Sequence, residues 1–154
     1  MARVSIVGGG VIGLTVAHEL ASRGHQVTII AAGPAVSPVA AAIWFPYAVT
    51  PTPAVRAAAS ATFDRLVDLS RTPSTGVRLR AGTVLLRTPD PDLSWTSTVI
   101  DSRPSRDVPP GTTGIRCSVP LVVTDVYLAW LHEQVSHLGV TFESRRLTSI
   151  GDLT

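Results

Sequence analysis

Three glycines, Gly8, Gly10 and Gly13, stand in the spacing G-x-G-x-x-G directly behind the apolar run Val4-Ser5-Ile6-Val7. Glycine acts at such positions by what it lacks. The first makes a tight turn, the second has no side chain to hold a pyrophosphate at a distance, and the third lets a following helix lie close on a sheet. A phosphate brought there meets unpaired amides and the positive end of a helix dipole. The spacing alone is a weak signal, and its context makes it specific. Val11 to Arg23 reads as a helix, Gly24 suits its C-terminal cap, and Gln26 to Ala31 reads as a second strand. Residues 3–32 are therefore expected to form strand, turn, helix and strand around a dinucleotide. The competing reading is a purely structural glycine turn.

Other chemistry finds little support. The single cysteine, Cys117, excludes an internal disulfide and reads as a small core residue. His18, His25, His132 and His137 have no cysteine or acidic cluster beside them, so no metal site is expected. The 13 basic residues are all arginine, form no run and leave a net charge of only +2, which gives nucleic acid no footprint. Arg3 followed by apolar residues into Ala17 has the outline of a secretory signal. Three consecutive glycines interrupt that outline and a strand pattern follows it. No apolar run is long enough to span a bilayer. A cytoplasmic protein with no membrane partner is expected.

These features need elements to position them, and the 154 residues, 45% hydrophobic, suffice for one domain with a core. After Ala31 come a small-residue loop, Gly33 to Val39, and the block Ala40-Ala41-Ala42-Ile43-Trp44-Phe45-Pro46-Tyr47. Thr52 is placed to cap a helix, with Pro53 at its favoured first position, running to about Leu69 with Val55, Ala59, Phe63 and Leu66 on one side. Val77 to Thr88 alternates as a strand in which Gly82 suits a bulge. Residues 101–114 read as a proline- and glycine-rich surface connection. Ile115 to Val123 returns to strand. Thr124 is expected to cap a helix whose buried stripe is Leu128, Leu131, Val135 and Leu138, and Gly139 ends it. Val140 to Leu147 is a last strand.

The regular alternation of strand and helix thus breaks after Ala32 and resumes only at Thr124. Such an interruption of a nucleotide-binding sheet is more typical of FAD enzymes than of nicotinamide dehydrogenases. The chain also resembles the D-amino-acid oxidase family of flavoproteins. The resemblance rests on Val7-Gly8-Gly9-Gly10-Val11-Ile12-Gly13-Leu14, Val39 to Tyr47, Tyr127-Leu128-Ala129-Trp130-Leu131, and Gly139-Val140-Thr141-Phe142 running into Arg145-Arg146-Leu147. The segment with Trp44, Pro46 and Tyr47 behind small residues is its most specific part.

That resemblance implies an α/β fold: a Rossmann-like FAD-binding sheet interrupted by the start of an antiparallel or mixed-sheet substrate domain. Residues 1–50 would be the first part of the FAD-binding domain. Residues 51–120 would be the helix and start of the substrate domain, and 121–154 the return to the FAD-binding domain. The implied cofactor contacts are Gly8, Gly10, Val11, Ile12, Gly13 and Ala32 around the phosphates and ribose. Ala41, Ala42 and Ile43 would lie along the flavin ring, and Leu147 would meet the adenine through its main chain. Trp44 is read as core packing.

The implied reaction is oxidative deamination of a D-amino acid, with dioxygen as oxidant and no catalytic residue from this chain. Glycine- or sarcosine-type amine oxidation and a non-catalytic dinucleotide-binding module are the alternatives. The family's substrate-holding arginine and tyrosines would lie beyond Thr154. The chain is accordingly expected to be the N-terminal portion of an enzyme of about twice its length, partnered by the C-terminal half, with a homodimer left open. One departure stands out. The carboxylate expected near the end of the second strand to bind ribose is replaced by Ala31-Ala32-Gly33, and no carboxylate follows until Asp64.

Overall fold

The computed structural model describes residues 1–33, 42–46 and 49–153. They divide into two compact units. The first takes the described residues of Met1–Ala41, Ser74–Gly76 and Val123–Thr154, and the second those of Ala42–Pro73 and Val77–Val122.

In the first unit, β1 (Arg3–Val7), α1 (Val11–Ser22) and β2 (Gln26–Ala31) form a βαβ motif, with β1 and β2 parallel and in register from Arg3↔Gln26 to Val7↔Ile30. After α3 (Thr124–His137), β7 (Thr141–Ser144) adds parallel to β2, giving the sheet order β1-β2-β7. Side chains alternate across the sheet, so Val27 and Ile29 face one core with Leu14 and Ala17 of α1 and Leu128, Leu131 and Val135 of α3. Both helices end alike. Gly24 and Gly139 take positive φ, at +80° and +79°. After α1, the Gly24 amide donates to Ala21 and the His25 amide to Leu20. After α3, the Gly139 amide donates to Ser136 and the Val140 amide to Val135. These paired bonds satisfy the last carbonyls and turn the chain back into the sheet.

The second unit is antiparallel. β6 (Thr113–Val122) is its spine: β4 (Val77–Leu86) pairs along its whole length, and β3 (Ala42–Ile43) and β5 (Ile100–Ser105) also pair with it. α2 (Pro53–Leu69) contributes Phe63 to the core with Trp44, Trp95, Ile115, Cys117 and Val119. Thr52 caps α2 as expected, its Oγ1 accepting from the Val55 amide at 3.3 Å.

The α/β expectation holds, with local corrections. Gly82 makes no bulge, because it pairs with Cys117 in an unbroken register. The irregularity falls in β5, between Ile100 and Arg103, where Asp101 takes φ +55°. Residues 101–114 are not all connection: β5 occupies their first part and β6 begins at Thr113. Pro104 is tolerated in β5 because an edge strand can leave an amide position unpaired. Val123, not Thr124, is the N-cap of α3, and Leu138, its C-cap, is 41% exposed rather than part of the buried stripe. β7 ends at Ser144, short of Leu147. Among the described residues no helix is long and apolar enough to cross a membrane.

Candidate dinucleotide site

The turn between β1 and α1 is built from backbone. Gly8 has φ +107°, a conformation L side chains rarely adopt, and its amide donates to the Ile30 carbonyl at 2.8 Å, tying the turn to β2. Gly13 serves a different purpose. A Cβ on Gly13 would lie 1.9 Å from the Gly8 carbonyl oxygen, so glycine alone permits the turn to sit against the helix. Gly10 is the N-cap of α1, with extended φ −82° and ψ −173° and no side chain capping the helix.

At this end of the helix the Leu14 amide donates to the Gly10 carbonyl, at 2.9 Å. The amides of Val11, Ile12 and Gly13 therefore precede the helical ladder. No acidic side chain occupies that first turn. Such an end favours an anion.

Beside it lies a cleft of about 380 Å³ at the C-terminal ends of the parallel strands, lined by Val7 to Gly10, Ile30 to Gly33 and Arg145 to Leu147. Four expected contacts, Gly8, Gly10, Ala32 and Leu147, come together in its lining. Val11, Ile12 and Gly13 open the adjoining helix without lining the cleft, and Ile12 is 78% exposed. Ala42 and Ile43 form β3 in the second unit, paired with Val122 and Leu121. Ala41 and Tyr47 lie outside the described residues. Trp44 is buried as expected: its Nε1 donates to the Ala59 carbonyl at 3.0 Å and its ring meets Phe63 edge-on at 5.0 Å.

The cleft wall opposite the glycines is pinned by residues that sequence reasoning did not single out as contacts. The Arg145 amide donates to the Ala31 carbonyl at 3.1 Å, carrying the β2–β7 pairing one residue past β7. Arg145 also donates from Nη1 to the Asp152 carbonyl at 2.6 Å and from Nη2 to Glu143 at 3.4 Å. The Asp152 carboxylate accepts from the Thr148 and Ser149 amides and the Thr148 hydroxyl, and these bonds pull its pKa down to about 2. The turn after Leu147 is thereby closed. The lining carries Arg145 and Arg146 and no carboxylate. The only hint in the sequence was the Arg145-Arg146-Leu147 run itself. Small residues, helix-end amides outside the ladder and the Arg146 guanidinium fit the phosphates of a dinucleotide.

The family model for FAD-dependent oxidoreductases of DAO type matches residues 3–152. The chain belongs to this family. Its cofactor is FAD. Among curated proteins, D-amino-acid oxidase of Rubrobacter xylanophilus is 36% identical over 97% of this chain and 48% of its own length. D-amino-acid oxidase of Streptomyces coelicolor is 33% identical, again over 97% of this chain and 48% of its own length. The chain thus spans about half the length of the curated relatives it matches. Among solved structures, glycine oxidase from Bacillus cereus superposes with TM-score 0.57 at 24% identity, covering 92% of this chain and 45% of that one. L-amino acid deaminase from Proteus vulgaris superposes with TM-score 0.66 at 15% identity, covering 93% and 39%. At those identities the likeness speaks for the fold alone.

Proposed function

We propose that this chain is the FAD-binding part of a D-amino-acid oxidase, acting in the oxidative deamination of a D-amino acid to a 2-oxo acid and ammonia with reduction of dioxygen to hydrogen peroxide. The observation that carries the reading is the coincidence of two things. The cleft joins small residues to an unpaired helix end, which suits a dinucleotide's phosphates, and D-amino-acid oxidases match at 33% and 36% identity over nearly the whole chain. Glycine oxidase and L-amino acid deaminase share the fold, so the D-amino acid reading is supported by sequence identity and not by fold.

When bound, FAD supplies the hydride acceptor and the route to dioxygen. The chain's residues bind and orient it. Gly8 to Gly10 let the backbone approach the pyrophosphate, and the amides of Val11 to Gly13 face its charge. Leu147 offers main-chain groups to the adenine. Arg146, exposed in the cleft lining, adds a positive charge suited to the phosphates. By resemblance, Ala41, Ala42 and Ile43 run along the flavin ring, and the region Val77–Val123 begins the substrate domain. The remaining substrate contacts would come from sequence of the further length that the curated relatives possess, joined to this chain or supplied by a second one.

Calorimetry with FAD and NAD in parallel tests the cofactor site, with FAD expected to bind at least about 100-fold tighter, a difference of about 2.8 kcal/mol. Equal affinities would overturn the assignment of the cleft. Anaerobic bleaching of the flavin absorbance in the protein extended to its relatives' length tests the substrate. D-alanine should bleach it, and bleaching by glycine or an L-amino acid instead would replace the D-amino acid reading.

A further inference from the structure

The second unit contains a cavity that the cofactor reading leaves unused. Its volume is about 180 Å³, and it lies between the first turns of α2 and the short turn Ser94–Ser97, with Trp44 and Trp95 in its walls. At about 30 Å³ per water it has the capacity of about six waters, room for a free amino acid and far too little for a dinucleotide. It shares no lining residue with the glycine-turn cleft.

The indole N–H groups are spent inside the protein. Trp44 Nε1 donates to the Ala59 carbonyl, and Trp95 Nε1 to the Asp92 carbonyl, each at 3.0 Å. Both rings are thereby fixed as apolar walls, which Pro46, Val49 and Val55 extend. The hydroxyls are engaged as well: Ser60 and Thr98 share a bond of 3.3 Å, and Ser97 donates to the Ser94 carbonyl at 3.0 Å.

Two opposite charges complete the lining. Arg56 is exposed, donates from Nη1 to the Pro51 carbonyl and makes no ion pair among the described residues. Asp92 accepts from the Ser94 amide at 2.9 Å and the Ser94 hydroxyl at 3.0 Å. Those bonds, with a lesser pull from Arg56, hold its carboxyl below the usual carboxylate range, so it is an anion at neutral pH. An apolar slot of amino-acid size that carries one guanidinium and one carboxylate matches a molecule with a carboxylate, an ammonium and an apolar body.

We propose that this cavity binds a free apolar amino acid as its zwitterion, its carboxylate on Arg56, its ammonium toward Asp92 and its side chain between Trp44 and Trp95. The inference rests on the lining of the cavity and stands apart from the reaction assigned to the protein.

Titration calorimetry and tryptophan emission on the purified full chain test it with three probes: leucine, 4-methylpentanoate, which lacks the ammonium, and 3-methylbutylamine, which lacks the carboxylate. Leucine should bind saturably and change the tryptophan emission, with each truncated probe weaker by about tenfold. Arg56→Gln and Asp92→Asn should each weaken leucine by about tenfold. Asn keeps an acceptor for the Ser94 amide and Arg56 is exposed, so unchanged melting temperatures would certify both variants as folded. Should Asp92→Asn disrupt the turn, Arg56→Gln and the two truncated probes still decide. Absence of saturable leucine binding would overturn the proposal, as would binding indifferent to Arg56→Gln. Equal affinity for leucine and 4-methylpentanoate would reduce the site to one for a plain carboxylate and overturn the zwitterion.

Discussion

The glycine-turn cleft of the first unit and the aromatic cavity of the second are built by opposite means. The cleft is made by leaving side chains out: Gly8 to Gly10, Ala31, Ala32 and Gly33 bring backbone to the surface, and its charge comes from helix-end amides and Arg146. The cavity is made by putting large side chains in and fixing them, with each tryptophan held by an indole hydrogen bond to a backbone carbonyl. A backbone site fails where an added atom meets the turn, as it would at Gly13, whereas a side-chain site fails when atoms are removed. Function follows the same division, since close backbone approach suits a polyanion and a walled slot suits a small apolar body.

The largest effect that can break this contrast is removal of a wall. Trp44→Ala should destabilise the second unit by about 4 kcal/mol, because it deletes a buried indole and leaves a void beside Phe63. Chemical denaturation followed by near-ultraviolet circular dichroism measures it, and a loss under about 1 kcal/mol would mean that the wall is not load-sharing core. Next comes Gly13→Ala in the first unit. One methyl group, 1.9 Å from the Gly8 carbonyl, must displace the turn, at about 3 kcal/mol, and FAD titration should show binding abolished.

Gly8→Ala is smaller. A Cβ there meets nothing within 4 Å, and only the φ of +107° is strained, costing about 1–2 kcal/mol. FAD should still bind, about tenfold more weakly. Equal losses for Gly8→Ala and Gly13→Ala would show that conformation, and not space, limits the turn.

The smallest effect concerns Asp152, half-buried, whose carboxyl is held at about 2 chiefly by the amides of Thr148 and Ser149. Its folded pKa is below its unfolded value of 3.8, so its contribution is fully present above about pH 4 and is lost as pH falls toward 2. Asp152→Asn should weaken FAD by no more than about threefold at neutral pH. It should also flatten the acid limb of a stability-against-pH curve. An unchanged acid limb would dissociate the turn after Leu147 from the cleft.

What the sequence determined by itself was local. The βαβ order of residues 3–31, the Thr52 cap with Pro53 behind it, and the glycine endings of α1 and α3 all follow from contacts within a few residues. Residue type and spacing encode such contacts directly. Even Gly13, read from spacing as a packing residue, meets a partner only five positions away.

The tertiary structure decided what depends on distant partners. Pro104 belongs to a strand because β6 offers it an edge, and Gly82 stays in register because Cys117 stands opposite. Leu138 is exposed because the helix it follows stops at His137. Arg145 reaches the cleft by bonding Ala31, more than a hundred residues away in sequence, and Arg56 meets the cavity of Trp95 and Asp92 only through folding. No periodicity along the chain records such pairings, since their energy comes from burial in a shared core that is reached only after the entropic cost of closing long loops.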